Sequence, residues 1–525
     1  MTQAKQLPAN PERFSAAATG DKRRMAGRYV IGVDGGTESL RAGVFDLTGR
    51  PLAFAAVGYE TRFPQPGWAE QDPRDWWHAL GRSVRQAVAE AKIAATDIAA
   101  IAVDTTCCSV VAVDSDGQPL RPSLIWMDVR AARETQALVA TGDRALAVNS
   151  DGAGPVSAEW MIPKALWLAR HEPKIFDAAA TICEYQDYLN FHLTGRWVAS
   201  INNAAIRWHY RADAGGWPTS LLDKLDLGAL AAKWPREIAR LGEIIGGLTP
   251  RAAEHLGLPV GLPIAQGGAD AFIAMIGLGV VRPGKMAFIT GSSHLHLGIT
   301  ATPFHGRGIW GTYADAVLPG LHVVEGGQTS TGSVVAWLKR LMGAEVSYDD
   351  LNREAAAIAP GSDGLVVQDH FQGNRTPHTD PLSRGAFMGL SLKHTRGHMF
   401  RATLEGIAFG SQLILETMRA NGWHPEDVVI AGGATRSDLW LQIHADVSNL
   451  PLTMTRVPDA PALGSAILAA VATGEFASIE EAAGRMVTVT RRIEPSATAH
   501  AAYREPYEAY KRAYAALASV TQPRG

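Results

Sequence analysis

The chain has 525 residues and a formal net charge of −3, with 46% hydrophobic and 19% charged residues. That length exceeds what one core supports, so two or more domains are expected, and the composition excludes a disordered chain. There is no long basic stretch to favour a nucleic-acid or membrane partner, and the three cysteines, Cys107, Cys108 and Cys183, form neither a disulfide framework nor a metal-ligand spacing.

A reducing cytoplasm is the expected compartment for so sparse a cysteine set. No apolar run is long enough to span a bilayer. Residues 1–26 mix Pro11, Glu12 and Lys22-Arg23-Arg24 without an apolar h-region, so they read as a loose tail and not as a signal peptide.

"YVIGVDGGTESLRAGVFD" (29–46) places Asp34, Gly35 and Gly36 between two apolar runs. Leu40, Ala42 and Val44 alternate with Arg41, Gly43 and Phe45, the period of a second strand, so the glycine turn closes a hairpin. "LTGRP" (47–51) turns into a third strand, "LAFAAVGYE". In "GWAEQDPRDWW" (67–77), Asp72 suits an N-cap and Pro73 the first helical position. "IAAIAVD" (98–104) reads as a buried strand.

The design returns downstream. "KMAFITGSSHLHLGIT" (285–300) is strand, Gly-Ser turn, alternating strand, and "DVVIAGGATRSDLWLQI" (427–443) is strand, Gly-Gly, helix. Two halves of similar design are expected, with Pro283-Gly284 marking the boundary. A helix is expected over 404–418 with Asn421-Gly422 as its C-cap, and Tyr503, Tyr507, Tyr510 and Tyr514 form a stripe at helical spacing, read as packing.

Four turns carry candidate chemistry. Gly35 and Gly36 let the backbone approach an anion, Thr37 and Ser39 add hydroxyls, and Asp34 suits a magnesium ion. Taken alone, the ordinary Asp-Gly hairpin turn is the stronger reading. Thr290, Gly291, Ser292 and Ser293 form a second hydroxyl-rich hairpin turn, and two such turns could clamp one polyphosphate. Asp270 in "AQGGADAF" (265–272) can accept a proton from an alcohol or cap the following helix. Gly432-Gly433-Ala434 leaves room for a flat ring or ribose, or is merely a tight strand-to-helix turn.

In this order, "DGGTESLRA", "GWAEQDP", "WMDVRA", "GGADA", "TGSS", "GAFMGLSLKHTRGHMFRATLE" and "AGGA" resemble the motifs of the FGGY carbohydrate kinases over nearly the whole chain. The resemblance implies an α/β fold of two ribonuclease H-like domains, of the actin and hexokinase type, around a cleft. It implies a sugar-binding domain at 27–282 and an ATP-binding domain at 283–521. It also implies ATP and Mg²⁺, with Asp270 as general base, Asp34 at the metal, and Arg41 with the two Gly-Ser turns and Gly432, Gly433 and Ala434 around the nucleotide.

Within the family, "DTTCCSVVAVD" (104–114) lacks the Arg-Glu expected of glycerol kinases and the Gln-Met-His-Gly expected of xylulokinases. It is similar to the ribulokinases, as are "SAEWMIPKALWL" (157–168), "WGTYADAVLPGLHVVEGGQTSTG" (310–332) and "FQGNRTPHTDP" (371–381). This resemblance implies sugar contacts from Asp128, Lys164, Asp270 and Glu325. Other readings stay open: Asp128 pairing with Arg130, Lys164 as a solvated charge, Glu325 in a hairpin salt bridge, and Cys107-Cys108 as small buried residues. Glu38 departs from the small hydroxyl residue that many sugar kinases have there, so it is left out of the phosphate contacts.

The expectation is an ATP-dependent kinase converting ribulose to ribulose 5-phosphate in the cytoplasm. The partner is a small sugar and no nucleic acid or membrane, and a homodimer is compatible with the chain. Rivals are a kinase for a polyol such as ribitol or erythritol, and an actin- or chaperone-like ATPase without a sugar.

Overall fold

A computed structural model describes residues 28–148, 156–306 and 308–521, so the expected tail at 1–26 lies outside the described residues. Strands β1 (Tyr29–Gly35) and β2 (Ser39–Asp46) form the expected hairpin, with Gly35 opposite Leu40, and β3 (Pro51–Gly58) completes a meander. Helix α1 (Pro73–Ala91) starts where its cap signals place it: the Asp72 side chain accepts the Arg74 N–H and Pro73 opens the helix. β4 (Ile98–Thr105) then runs parallel to β1.

Helices α2 (Met161–His171), α3 (Tyr185–Thr194) and α4 (Ile201–Arg207) precede β5 (Ile244–Gly247), β6 (Pro263–Ala265) and α5 (Asp270–Gly277). The first sheet has the order β5-β6-β4-β1-β2-β3. A second sheet follows from β7 (Lys285–Thr290), β8 (His294–Thr300), β9 (Gly311–Ala314) and β10 (His322–Gln328). Helix α6 (Arg396–Ala420) leads to β11 (Asp427–Gly432), α7 (Asp438–Ser448), β12 (Leu452–Thr455), α8 (Ala460–Ala472), β13 (Val489–Ile493) and α9 (Ala497–Thr521). Its order is β9-β10-β8-β7-β11-β12-β13.

The two sheets share a plan. In both, an antiparallel meander is extended by two parallel strands: β3-β2-β1-β4-β6 in the first and β10-β8-β7-β11-β12 in the second. This is the expected pair of ribonuclease H-like units. α6 starts at Arg396, ahead of the periodic stretch at 404, because Thr395 and His398 close a reciprocal cap there.

Alternation sorts the first sheet's side chains. Ile31, Val33, Ile101 and Val103 enter one core with α1 and α3, while Val30, Ala100 and Ala102 enter another with α5 and α8. Each sheet is drawn from one side of residue 283, yet α8, from late in the chain, lies on β1 and β4 of the first sheet. The approach is so close that a Cβ on Gly32 would sit 1.9 Å from the Ala462 carbonyl oxygen, so only glycine fits. The tyrosine stripe packs as expected and adds hydrogen bonds: Tyr503 donates to Glu405 at 3.1 Å and Tyr510 to Asp369 at 2.6 Å. Among the described residues no helix is long and apolar enough to cross a membrane.

Candidate active site

The C-terminal ends of β1, β4 and β6 bring three aspartates together. Asp34 and Asp104 are direct partners in the parallel β1–β4 register, and Thr105 bridges Ala269, the residue before Asp270. In-register neighbours on parallel strands lie about 4.8 Å apart and share a face, so these carboxylates crowd one another. Burial first, then Asp459 and Asp270, push the Asp34 carboxyl up to about 8. Burial, then Asp34, holds Asp104 well above the usual carboxylate range, and burial raises Asp270 to about 6. The cation facing them is Arg41, 4.0 Å from Asp34, and it is already hydrogen-bonded to Asp459 at the start of α8.

A divalent cation suits this donor set. The Asp34 side chain is 16% exposed, and Asp104 holds a buried carboxylate oxygen whose one neighbour able to donate is the Asp34 carboxyl itself. Among the described residues no three acidic, histidine or cysteine side chains gather tightly enough to hold a metal alone. Two carboxylates completed by water or substrate oxygens match the habit of magnesium.

Asp270 is the first residue of α5, and Ala269 occupies the cap position. One Asp270 oxygen accepts the Ala271 N–H at 2.7 Å, and the other has no protein donor among the described residues. The capping alternative therefore gives way to a carboxylate with one oxygen at liberty. Asp270 lines a cavity of about 370 Å³ between the two halves, together with Thr37, Ser293, Glu325 and Gly432.

The first hairpin is held from behind by Tyr59, whose hydroxyl donates to the Gly36 carbonyl, and from the front by Trp126, whose Nε1 donates to Thr37 Oγ1 at 2.8 Å. Gly35 is buried, Ser39 half-buried and Glu38 exposed. Glu38, like Gly36 and Asp34, is not among the cavity-lining residues.

In the second hairpin the expected contacts separate. Thr290 is buried, and its hydroxyl donates to Ala431 O at 2.7 Å and accepts the Ala434 N–H at 3.1 Å. It pins β7 to β11, so its expected role as a phosphate ligand is corrected to a brace. Gly291 and Ser292 are exposed at the turn, and Ser293 lines the cavity. Gly432 has φ +95°, and a Cβ there would lie 1.8 Å from the Thr290 carbonyl oxygen, so glycine is required. Gly433 is exposed, whereas Ala434 is buried with its N–H spent on Thr290, which removes it from the nucleotide contacts.

Two expected sugar contacts do not reach the cavity. Lys164 is fully buried, and its ammonium donates to the carbonyls of Cys108 (2.7 Å), Leu124 (3.2 Å) and Ile125 (2.7 Å), which uses all three donors. It is neither a solvated charge nor a free sugar ligand; it fixes the loops behind the cavity wall. Asp128 is fully buried against the Arg130 guanidinium at 2.7 Å and accepts the Ala69 N–H, so the pairing alternative holds. Arg130 also stacks on Trp68 at 3.6 Å.

Glu325 does line the cavity, but its salt bridge crosses between the halves and not along a hairpin. Arg207 at the end of α4 donates to both its oxygens, at 3.1 and 3.0 Å, and Tyr313 donates at 2.8 Å. The same wall carries Trp126, Glu159, Trp160, Arg207, Trp310 and Arg375, none of which the sequence reading selected as contacts. α4 also anchors the site: Asn202 accepts the Ala269 N–H at 2.9 Å, and Glu184 accepts from Asn203, Trp208 and the Cys108 N–H. A wider groove of about 900 Å³ lies elsewhere, lined by Arg74, Trp77, Arg82 and Arg251, and contains none of the expected site residues.

Two ribonuclease H-like units facing each other across a carboxylate-bearing cavity define the actin- and hexokinase-type ATPase fold. Residues 29–277 match the FGGY family of carbohydrate kinases, N-terminal domain, and residues 286–473 the C-terminal domain of the same family. The chain belongs to the FGGY family of carbohydrate kinases and is a sugar kinase. It is 32% identical to a ribulokinase of Shouchella clausii over 92% of this chain and 94% of that one. It is 27% identical to a xylulose kinase of Staphylococcus xylosus, over 93% and 99%. The crystal structure of xylulose kinase from Rhodospirillum rubrum superposes with a TM-score of 0.85 at 30% identity, over 94% of this chain and all of that one.

Proposed function

We propose that this kinase transfers the γ-phosphoryl group of ATP to the terminal hydroxyl of a ketopentose, with ribulose as substrate and ribulose 5-phosphate as product. The observation that carries this reading is Asp270, a half-buried carboxylate with one unbonded oxygen on the wall of a cavity between two hairpin turns. The cavity is at the small end of the range for ligand pockets, suited to a sugar and the terminal phosphates and not to a whole nucleotide. The ribulokinase relative and the segment 104–109 favour ribulose over xylulose.

In this mechanism Asp270 accepts the proton of the attacking hydroxyl as the oxygen moves onto phosphorus. A carboxyl titrating near 6 is mostly ionised at neutral pH yet basic enough to take that proton. The Gly36 and Gly291 N–H groups close their own turns on the Ser39 and Ser293 carbonyls, so the glycines give the phosphates room to approach while Thr37 and Ser293 offer hydroxyls. Asp34 would hold Mg²⁺, which when bound neutralises charge on the phosphates. The aromatic and charged wall of Trp126, Trp160, Arg207, Trp310 and Glu325 orders the sugar hydroxyls and closes off water.

An ADP-release assay across D-ribulose, L-ribulose, D-xylulose and ribitol tests the reading. Preference for a ribulose supports it; preference for xylulose or a polyol overturns the substrate, and sugar-independent hydrolysis overturns the transfer itself.

A further inference from the structure

We propose that Asp104 is the second carboxylate of the divalent-cation site and that Ser465, from the far end of the chain, sets its position. The inference rests on the reading of Asp34 as a cation ligand and extends it to residues outside that reading.

Asp34 and Asp104 end "VDGG" and "VDTT", two strand ends with the same Val-Asp pair, and are register partners on adjacent parallel strands. Their side chains therefore leave the sheet on one face, beside each other. Asp104 is fully buried. One of its oxygens accepts the Ser465 hydroxyl at 2.6 Å; the other is buried with no donor except the neighbouring Asp34 carboxyl, which can serve only while it holds a proton. A buried carboxylate oxygen without a donor is costly. Arg41 does not relieve it, because its contacts go to Asp459 and Asp34. When both carboxyls are ionised that hydrogen bond is lost, and a cation shared by Asp34 and Asp104 supplies the missing partner.

The scaffold itself does not demand a carboxylate there. In the second sheet Thr290 pairs with Gly432 as Gly35 pairs with Thr105, so Ile289 and Ala431 stand where Asp34 and Asp104 stand. Ser465 lies on α8, whose first turn is bonded to Arg41 through Asp459. The cation ligands of the first half are thus positioned by a helix that belongs to the later part of the chain. A hydroxyl acting on one oxygen of a ligating carboxylate orients the other, the role of partners beyond the ligands themselves.

The test is titration of the full-length protein with Mn²⁺, without nucleotide or sugar, counting free Mn²⁺ by electron paramagnetic resonance. Asp104→Asn is expected to weaken Mn²⁺ binding by about 100-fold and Ser465→Ala by about 10-fold. In steady-state assays both variants are expected to need more Mg²⁺ while the KM for sugar stays unchanged. Unchanged Mn²⁺ affinity in Asp104→Asn, with loss in Asp34→Asn, overturns the assignment and leaves the Asp34 reading intact. Unchanged affinity in Asp34→Asn, or no Mn²⁺ bound by the unaltered protein, removes the cation reading on which the assignment rests. Should Asp104→Asn fail to fold, Ser465→Ala decides, and an unchanged affinity there overturns the proposal.

Discussion

The two hairpins of this kinase are built alike and charged differently. β1–β2 and β7–β8 are both antiparallel, closed by residues 36–39 and 291–293, each beside a parallel strand, yet Asp34 and Asp104 in the first correspond to Ile289 and Ala431 in the second. One half gathers carboxylates and so calls for cations. The other offers Ile289 and Ala431 to the cavity as apolar side chains beside an uncharged turn. The contrast teaches that one strand-turn-strand plan is used twice with different side chains at the strand ends, and on the proposed reading that pair of side chains separates the roles of the two turns.

The comparison can be broken most severely at Asp270. Asp270→Asn is expected to fold and bind ATP while kcat falls by about 10²–10⁴, measured by ADP release with ribulose. In the unaltered enzyme kcat/KM should fall as pH drops through about 6, where burial places this carboxyl, because the base form is lost. A profile flat down to pH 5 contradicts the assignment.

The link between the halves comes next. Arg207→Ala leaves Glu325 buried without its partner and is expected to cost about 3–5 kcal/mol in urea unfolding, with a raised KM for sugar. Arg207→Lys, which keeps the charge but not the fork that reaches both Glu325 oxygens, should fall between the two.

A third test uses pH to probe the core of the second half. His294, His296 and His444 pack together within the second half. Burial lowers His296 and His444 to about 3 and His294 well below its usual value. Each is neutral when folded and takes a proton when unfolded, so its stabilising contribution is full above about 6.5 and is lost as pH falls toward 3. Each contributes up to about 1.4 kcal/mol per pH unit over that window. The urea midpoint should fall between pH 7 and pH 5, and less steeply in a His296→Phe variant.

The smallest effect is at the braces. Trp126→Phe removes the donor to Thr37, and Thr290→Val removes the link to Ala431 and Ala434. Each should cost about 0.5–3 kcal/mol, with the larger loss at the buried Thr290, read from thermal unfolding.

Much of this was legible in the sequence because it is local. Alternation in 29–46 and 285–300 and the Asp72-Pro73 cap follow from backbone preference within a few residues. The turns and Asp270 could be found the same way. Lys164 and Asp128 were misjudged because a charged residue near a motif reads as a ligand until its partners are known, and those partners are the Cys108, Leu124 and Ile125 carbonyls and Arg130. Arg207 was missed because its partner Glu325 is 118 residues away and α4 is too short to show a period. Ser465 contacts Asp104 across 361 residues, which no local pattern announces. The Val-Asp pairs ending β1 and β4 were the one available signal, visible once the two strands are aligned.

The division of labour between the hairpins is tested most directly by measuring ATP binding by calorimetry and Mn²⁺ binding by paramagnetic resonance in two variants, Asp34→Asn and Gly432→Ala. Asp34→Asn should lose Mn²⁺ and retain cation-free ATP. Gly432→Ala, which forces a Cβ against the Thr290 carbonyl, should lose ATP and retain Mn²⁺. Loss of both ligands together in folded protein of either variant would contradict the account.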